Sequence, residues 1–314
     1  MTYNVLTESE LSPQLYAMLS QCSVSIWKGD GTDSPEALQQ AEGLFTYSHP
    51  VITGDVLDTM PNLRVLSNFG VGVDHIDLDA ASQRNIPVGN TPGFVDGATA
   101  DMTFALLMAA ARNIVSGHHY AVGPEFVDYD VNILHGQEVY GATLGIIGMG
   151  SIGKVLAKRA SGFDMKVQYH NRNRDMAAES SLGVSYASLD DLLRTSDFVT
   201  LNMPMTPETR NMIGSRELAL MKPTASLINA ARGGVLDHDA LYDALASKQI
   251  RSAALDVTEP EPLPREHRLF ELDNIIIQPH LGSATVQTRT GMAQRSVDNL
   301  IAGLTGKPLL NRAN

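Results

Sequence analysis

Three loops in the second half of the chain carry a guanidinium, carboxylates and an imidazole, and each loop follows a short apolar run. The loops cover residues 229–234, 256–263 and 278–283, and they include Arg232 and His280. An arginine offers a planar, bidentate donor to a carboxylate, and a histidine with a carboxylate partner is the usual arrangement for general acid–base catalysis. The reduction of a 2-oxo acid needs these functions, because the substrate carboxylate must be held, the carbonyl polarised and a proton delivered.

Each of these side chains also has an ordinary structural explanation when it is taken alone. Arg232 fits a surface ion pair, His280 fits a structural histidine, and Glu259 and Glu261 fit a charged, proline-rich turn. In an open α/β sheet, however, ligands bind beyond the carboxyl ends of the strands. Because the three loops follow successive predicted strands, we expect them to converge on one site together with a glycine-rich loop.

The glycine-rich loop has the pattern of a dinucleotide-binding site. It is formed by Gly148, Met149, Gly150, Ser151, Ile152 and Gly153. An apolar run precedes it and a helical pattern follows, which is the strand–turn–helix context that this site requires. Gly148 allows the tight turn, Gly150 lets the backbone approach the pyrophosphate, and Gly153 permits close packing of helix on strand. The alternative is a tight glycine turn without a ligand.

The end of the next predicted strand indicates which dinucleotide would bind. NAD sites usually place an Asp or Glu there to bind the ribose 2′-hydroxyl. This chain instead has Asn171, followed by Arg172 and Arg174. A neutral residue with two guanidiniums suits a 2′-phosphate, so NADPH is the preferred cofactor in this interpretation and NADH is the second. The alternative is that both arginines are solvated surface charges.

The elements that must position these loops follow from the hydrophobic pattern. Short apolar runs alternate with helix-length amphipathic runs along the whole chain, which predicts βαβ units and an α/β fold with parallel sheets. Ser34 and Pro35 are typical of a helix start, as N-cap and first helical residue. A long helix rich in Ala, Leu and Met is predicted over 96–115, and a second alternating series begins at 143.

The composition narrows the classes of function. The 314 residues are 43% hydrophobic and 18% charged, which is typical of a globular chain long enough for two domains. The formal net charge of −12 argues against nucleic acid or an anionic membrane as partner. The single cysteine, Cys22, excludes an intrachain disulfide and a cysteine-based metal cluster, and no metal is expected. Without an apolar span or an N-terminal signal pattern, a cytoplasmic location is expected.

Several motifs along the chain carry a family resemblance. They lie at 70–77, 89–92, 145–153, 204–209, 229–234, 256–263, 279–285 and 306–309. On these motifs the chain resembles the D-isomer-specific 2-hydroxy acid dehydrogenases, and within them the glyoxylate/hydroxypyruvate reductases, over nearly its whole length. The order and spacing of Arg232, Asp256, Glu261 and His280 match the family's catalytic order of Arg, Asp, Glu and His.

The resemblance implies two doubly wound parallel-sheet domains with the cofactor in the cleft between them. The substrate domain would comprise residues 1–91 plus 283–314, and the Rossmann-like cofactor domain would comprise residues 92–282. The helix at 96–115 and its neighbours would form the contact of a homodimer.

The resemblance also implies roles for the chemical residues. Arg232 would bind the substrate carboxylate and carbonyl, His280 would donate the proton, and Glu261 would orient His280 and favour its imidazolium form. Glu259 does not stand at the family position and is assigned no role.

Further residues are predicted to bind substrate or cofactor. The backbone amides of Val71 and Gly72 would hold the substrate carboxylate, and Ser283 is a further expected substrate contact. Asp256 would bind the nicotinamide side of the cofactor. Other cofactor contacts, besides His280, are expected at Thr99, Pro204, Ala230 and Gly282.

One departure from the family pattern leaves the exact substrate open. Many relatives carry an arginine and a tryptophan between positions 120 and 141, where this chain has Ala121 and Val122 and no tryptophan. A bulkier, sugar-derived 2-oxo acid such as 2-ketogluconate is therefore an alternative substrate. A non-enzymatic NAD(H)-binding corepressor of the same fold is an alternative from another class of function, and phosphoglycerate or formate dehydrogenases are alternatives within the family.

Overall fold

The computed structural model describes residues 2–314, and strands alternate with helices over this length. The strands are β1 (Tyr3–Thr7), β2 (Cys22–Ile26), β3 (Gly43–Thr46), β4 (Val65–Asn68), β5 (Val88–Gly89), β6 (Thr143–Ile147), β7 (Lys166–His170), β8 (Ser185–Tyr186), β9 (Phe198–Leu201), β10 (Ser226–Asn229), β11 (Ser252–Leu255) and β12 (Ile275–Ile277). The α-helices are α1 (Pro13–Met18), α2 (Pro35–Gln40), α3 (Gly54–Asp58), α4 (Leu78–Gln83), α5 (Asp96–Ala111), α6 (Ile114–Val122), α7 (Ser151–Ala160), α8 (Met176–Leu182), α9 (Leu189–Thr195), α10 (Ser215–Leu220), α11 (His238–Ala246) and α12 (Val286–Leu304).

The first unit comprises residues 2–95 together with Thr285–Asn314. Its strands form a parallel sheet in the order β2-β1-β3-β4-β5. The central strands β3 and β4 are buried along their whole length, because helices cover both faces of the sheet. The C-terminal helix α12 returns to this unit, where Leu300 and Leu304 pack in one core with Val65.

The second unit comprises Asp96–Ala284. Its parallel sheet has the order β12-β11-β10-β9-β6-β7-β8. The chain runs outward from β6 through β7 to β8, and then returns to β9 on the other side of β6. The strand order therefore reverses between β6 and β9, and in doubly wound sheets ligands bind outside the carboxyl ends of the strands at this point. The second alternating series predicts this parallel sheet, and the strand order is the Rossmann-type arrangement that the family resemblance implies.

The helix that opens the second unit is shorter than the pattern predicts. The prediction extends over 96–115, whereas α5 ends at Ala111 and α6 begins at Ile114. The break occurs at Asn113, whose φ of 51° lies in the left-handed region that asparagine tolerates. Although α5 is rich in apolar residues, neither it nor any other described helix has the length and apolar character needed to cross a bilayer.

The predicted start of α2 has the expected residues. Pro35 is the first helical residue and Ser34 takes the N-cap position, although the Ser34 side chain makes no capping hydrogen bond.

The start of α11 does have a side-chain cap, because Asp237 accepts a hydrogen bond from the Ala240 amide. A side-chain acceptor at this position binds one of the amides that a helix start leaves unpaired.

Candidate active site

The glycine-rich loop links β6 to α7 at the point where the strand order reverses. Gly148 has a φ of +103°, and a Cβ there would lie 2.6 Å from the backbone of Asn202 and Met203. Glycine is therefore required, since a side chain would be strained and would clash. A Cβ on Gly150, in contrast, would meet no atom within 4 Å. The open space lies directly before the N-terminus of α7, where backbone amides and the helix dipole favour a phosphate group.

Asn171 holds this loop from the end of the neighbouring strand. It follows β7, and its Oδ1 accepts a hydrogen bond from the Met149 amide at 2.7 Å. The side-chain carbonyl oxygen of Asn171 is thus already hydrogen-bonded to the glycine loop. Its Nδ2 has no hydrogen-bond partner among residues 2–314 and keeps both donors for a ligand.

The two arginines after β7 differ in their surroundings. Arg174 makes a bidentate pair with Glu179, at 2.6 and 2.7 Å, and this pairing lowers the pKa of Glu179 and raises that of Arg174. Arg172 is exposed. The pKa of Glu208 is lowered chiefly by the hydroxyl of Thr206 and to a smaller extent by the charge of Arg172. Arg172 is the arginine whose guanidinium is not already held by a bidentate carboxylate.

Asn202 follows β9 and has the chemical character of a ligand contact. Its Oδ1 and Nδ2 are both buried, and neither finds a hydrogen-bond partner within the described chain. Buried polar atoms nearly always have a hydrogen-bond partner. Two such atoms without a partner, next to Gly148, therefore indicate that the side chain of Asn202 binds a ligand. Asn202 was not among the residues predicted from the sequence. Its position directly after a strand, beside the strand-order reversal, was the signal that could have identified it.

These observations fit a nicotinamide dinucleotide. Three features lie in the loops at the carboxyl ends of β6, β7 and β9. They are the open space over Gly150, the Nδ2 donors of Asn171 and the unpaired side-chain amide of Asn202. A dinucleotide bound there has phosphates for the amides before α7 and ribose and base groups for the side-chain amides. Among residues 2–314, no group of three or more His, Cys, Asp or Glu side chains is placed to hold a metal ion.

His280 and Glu261 form a hydrogen-bonded pair across two loops. The Nδ1 of His280 lies 2.6 Å from the Oε1 of Glu261, and both side chains are about one-third exposed, at 30% and 37%. A carboxylate only accepts hydrogen bonds, so Nδ1 carries the proton that is shared. The amide of Thr258 donates to the other carboxylate oxygen of Glu261 at 3.4 Å. This arrangement directs Nε2, on the far side of the ring, away from Glu261.

Asp256 fixes the backbone of the loop that carries His280. Its side chain is buried, and its two oxygens accept hydrogen bonds from the amides of Leu281 and Gly282, each at 2.7 Å. Its own carbonyl accepts the His280 amide at 2.9 Å. Thr99, on α5, approaches the same place, since its hydroxyl lies 3.4 Å from the carbonyl of Gly282. The structure thus brings together three residues that the sequence predicted as cofactor contacts: Thr99, Asp256 and Gly282.

Arg232 lies in a loop that Asn229 holds in shape. Asn229 ends β10 and is fully buried, and its side chain binds the Arg232 carbonyl at 2.9 Å and the Ala231 amide at 3.0 Å. A Cβ on Gly233 would overlap the backbone of Thr258. The Arg232 loop therefore packs directly against the loop that carries Glu261, and only a glycine at position 233 allows this close approach. This function of Asn229, the first residue of the predicted loop 229–234, was not predicted from the sequence.

The other predicted contacts lie in loops of their own unit. Pro204 is exposed after β9, Ala230 is buried after β10, and Ser283 follows the Asp256-bound amides after β12. Val71 and Gly72 belong to the first unit, in the loop that follows β4. The roles predicted for all of these residues stay predictions.

Comparison with known proteins gives a consistent result. The model of the family "D-isomer specific 2-hydroxyacid dehydrogenase, NAD binding domain" matches residues 104–282. A glyoxylate reductase of Thermococcus litoralis is 43% identical, covering 89% of this chain and 85% of its own, and one of Aeropyrum pernix is 40% identical, covering 99% and 95%. The crystal structure of an NADPH-dependent glyoxylate/hydroxypyruvate reductase from Sinorhizobium meliloti, in complex with NADP and malonate, superposes with a TM-score of 0.91 at 28% identity, covering 100% of this chain and 97% of that chain.

Proposed function

The chain belongs to the D-isomer specific 2-hydroxyacid dehydrogenase family, and from this premise we propose that glyoxylate is its preferred substrate and NADPH its preferred cofactor. It is an oxidoreductase that reduces a small 2-oxo acid with a nicotinamide cofactor. The observation that carries the choice of glyoxylate is the similarity, over most of the chain, to enzymes named glyoxylate reductase. Glyoxylate and hydroxypyruvate share the 2-oxo acid group, so hydroxypyruvate is the second candidate.

The proposed roles of the side chains follow from their chemistry. The cofactor, when bound, supplies the hydride for the carbonyl carbon. Arg232 binds the substrate carboxylate through its planar guanidinium and polarises the carbonyl. The Nε2 of His280 delivers a proton to the carbonyl oxygen, which completes the hydroxyl group. Glu261, hydrogen-bonded to Nδ1, stabilises the imidazolium before that transfer.

The preference for NADPH is supported by the residues after β7. Asn171 presents a neutral side chain with free amide donors where an acidic residue would repel a 2′-phosphate. Arg172 is exposed one position later, whereas Arg174 is already paired with Glu179. We therefore assign the 2′-phosphate to Asn171 and Arg172. The similarity to a solved reductase named NADPH-dependent supports the same choice.

We also propose that the enzyme is a homodimer that associates through α5, α6 and the segment that follows them. Several large apolar side chains of this region are exposed: Ile114 at 54%, Val127 at 81%, Tyr129 at 86% and Val131 at 63%. Large apolar side chains that are exposed close together along the chain are typical of a protein interface. Sedimentation of the purified protein tests the proposal, and a monomer at micromolar concentration would contradict it.

The substrate proposal is tested by a panel of 2-oxo acids with NADPH and with NADH. We expect glyoxylate to give the highest kcat/KM, hydroxypyruvate to follow, and NADPH to be favoured with each. The highest kcat/KM for 2-ketogluconate would replace glyoxylate by the bulkier substrate. A protein that binds NADPH but oxidises it with none of these acids would match the corepressor alternative instead.

A further inference from the structure

The loop after β4 has its carbonyl groups bound by asparagine side chains. The Nδ2 of Asn68 donates to the carbonyls of Gly70 at 3.2 Å and of Gly72 at 2.9 Å. The Nδ2 of Asn90 donates to the carbonyl of Val71 at 2.9 Å. Three consecutive carbonyls are thus held by two side chains that come from the carboxyl ends of neighbouring strands. The peptide planes of this loop are fixed individually.

Fixing the carbonyls also fixes the direction of the amides. In a trans peptide the C=O and N–H groups point in opposite directions, and no cis peptide bond occurs in this loop. The amides of Val71, Gly72 and Val73 therefore point away from the asparagines. Within residues 2–314, these three N–H groups have no hydrogen-bond partner. Successive amides that point outward form a concave site for an anion.

The asparagines are themselves held rigidly in the first unit. Asn68 is buried, and its Oδ1 accepts a hydrogen bond from the hydroxyl of Thr46 at 2.9 Å, which fixes the direction of its amide. The carbonyl of Asn90 accepts a hydrogen bond from Asn299 of α12 at 3.0 Å. Asn299 is fully buried, so α12 anchors Asn90 to the core of the unit. The direction of the loop amides therefore depends on core residues.

We propose that Asn68 and Asn90 are positioning residues, which hold the amides of Val71 and Gly72 as the binding site for the carboxylate of the 2-oxo acid. This inference rests on the proposed function. Without the two asparagines, the peptide groups could rotate and present a carbonyl to the substrate carboxylate, which would repel it. Catalysis depends on such fixed geometry, because a displacement of about 1 Å can change rates on the order of a hundredfold.

The test compares Asn68→Ala and Asn90→Ala with Asn274→Ala. Asn274 is a matched control, because its Nδ2 also bridges two backbone carbonyls, those of Leu245 and Arg251, but at the amino end of β12. We expect KM for glyoxylate to rise about tenfold or more in Asn90→Ala, which releases the Val71 carbonyl and with it the Gly72 amide. The rise should be smaller in Asn68→Ala, because the Thr91 amide still binds the Gly70 carbonyl at 3.0 Å. The Kd for NADPH and the melting temperature of Asn90→Ala should stay near those of the parent, and kcat should change less than KM.

Several outcomes would overturn the inference. An unchanged KM in folded Asn68→Ala and Asn90→Ala would do so, and so would an equal rise of KM in Asn274→Ala. If Asn68→Ala fails to fold, Asn90→Ala decides, because its side chain is only partly buried. If the parent prefers another 2-oxo acid, the choice of glyoxylate fails separately, and the same comparison of KM is made with the acid that the enzyme does reduce.

Discussion

The imidazole Nδ1 of His280 lies 2.6 Å from the carboxylate of Glu261, although the two residues are 19 positions apart and belong to different loops. The contact depends on Asp256, whose carbonyl binds the His280 amide and whose carboxylate binds the next two amides. One buried side chain at the end of β11 therefore sets the loop after β12. Because the carboxylate of Glu261 already lies at hydrogen-bond distance from Nδ1, little reorganisation is needed before a proton is transferred.

Replacing His280 by alanine should remove the proton donor. We expect kcat for glyoxylate reduction to fall by roughly 10²–10⁴, the usual contribution of a general acid, with little change in the Kd for NADPH. Steady-state kinetics and a fluorescence titration with NADPH measure the two effects. Near-parent turnover in His280→Ala would rule out the assignment.

Glu261→Gln should change the pH dependence of reduction, with Glu259→Gln as the matched control in the same loop. Glutamine keeps the size of the side chain but removes the charge that stabilises the imidazolium, so reduction should fade at lower pH than in the parent. Glu259 is only loosely paired with Arg210, at 3.9 Å, and its substitution should leave the profile unchanged. Identical profiles for Glu261→Gln and the parent, measured as kcat from pH 5 to 9, would argue against the pair as the acid.

The sequence predicted the parts of this site that depend on local pattern. The strand–turn–helix around Gly148 and the strands before Arg232 and His280 follow from apolar runs and glycine spacing, which the structure has. It did not predict that both oxygens of Asp256 bind the amides at 281 and 282, or that Asn229 shapes the Arg232 loop. These contacts join residues distant along the chain or depend on loop conformation, and neither leaves a periodic signal.

Arg232→Lys should weaken substrate binding despite the retained charge. An ammonium is a point donor and cannot reproduce a bidentate guanidinium–carboxylate contact. We expect a much higher KM for glyoxylate, and a lower kcat because the carbonyl is less polarised. Arg210→Lys, at an exposed arginine of a neighbouring loop, serves as control and should behave like the parent. Unchanged kinetics in Arg232→Lys would exclude it as the substrate anchor.

The stability of the protein should decrease in mild acid through His238. Burial lowers the pKa of His238, and the nearby His267 lowers it further. The hydrogen bond with the Leu236 backbone and the charges of Asp237 and Asp239 have smaller, opposite effects. Its Nε2 is buried without a hydrogen-bond partner in the described chain. Because the folded-state pKa lies below the unfolded value of about 6.5, the unfolded state binds more protons as pH falls below that value. The free energy of unfolding should therefore decline below about pH 6.5 and be unaffected by this group at higher pH.

Denaturant unfolding at pH 7.5 and pH 5.5 measures this effect. In His238→Asn, the loss of stability between the two pH values should be smaller than in the parent. Equal losses in the parent and His238→Asn would show that acid sensitivity arises elsewhere.

The cofactor preference should depend on Arg172 more than on Arg174. Arg174 is held by two hydrogen bonds to Glu179, and turning it to a phosphate would break both. Arg172 is exposed and directly follows Asn171. The Oδ1 of Asn171 accepts a hydrogen bond from the Met149 amide, which leaves the Nδ2 of Asn171 as a donor for the cofactor. A charge-assisted hydrogen bond contributes roughly 1.5–3 kcal/mol, which corresponds to about a tenfold to hundredfold preference for NADPH.

Three variants separate the contributions to this preference, measured as the ratio of kcat/KM with NADPH and with NADH. Arg172→Ala should lose most of the ratio by raising KM for NADPH, whereas Arg174→Ala should keep most of it. Asn171→Asp should reverse it, because a carboxylate repels the 2′-phosphate and accepts hydrogen bonds from the ribose hydroxyl of NADH. A ratio of one in the parent would contradict the preference itself. If Arg172→Ala keeps the preference for NADPH and Arg174→Ala loses it, the phosphate contact belongs to Arg174, which would then have to break its pair with Glu179.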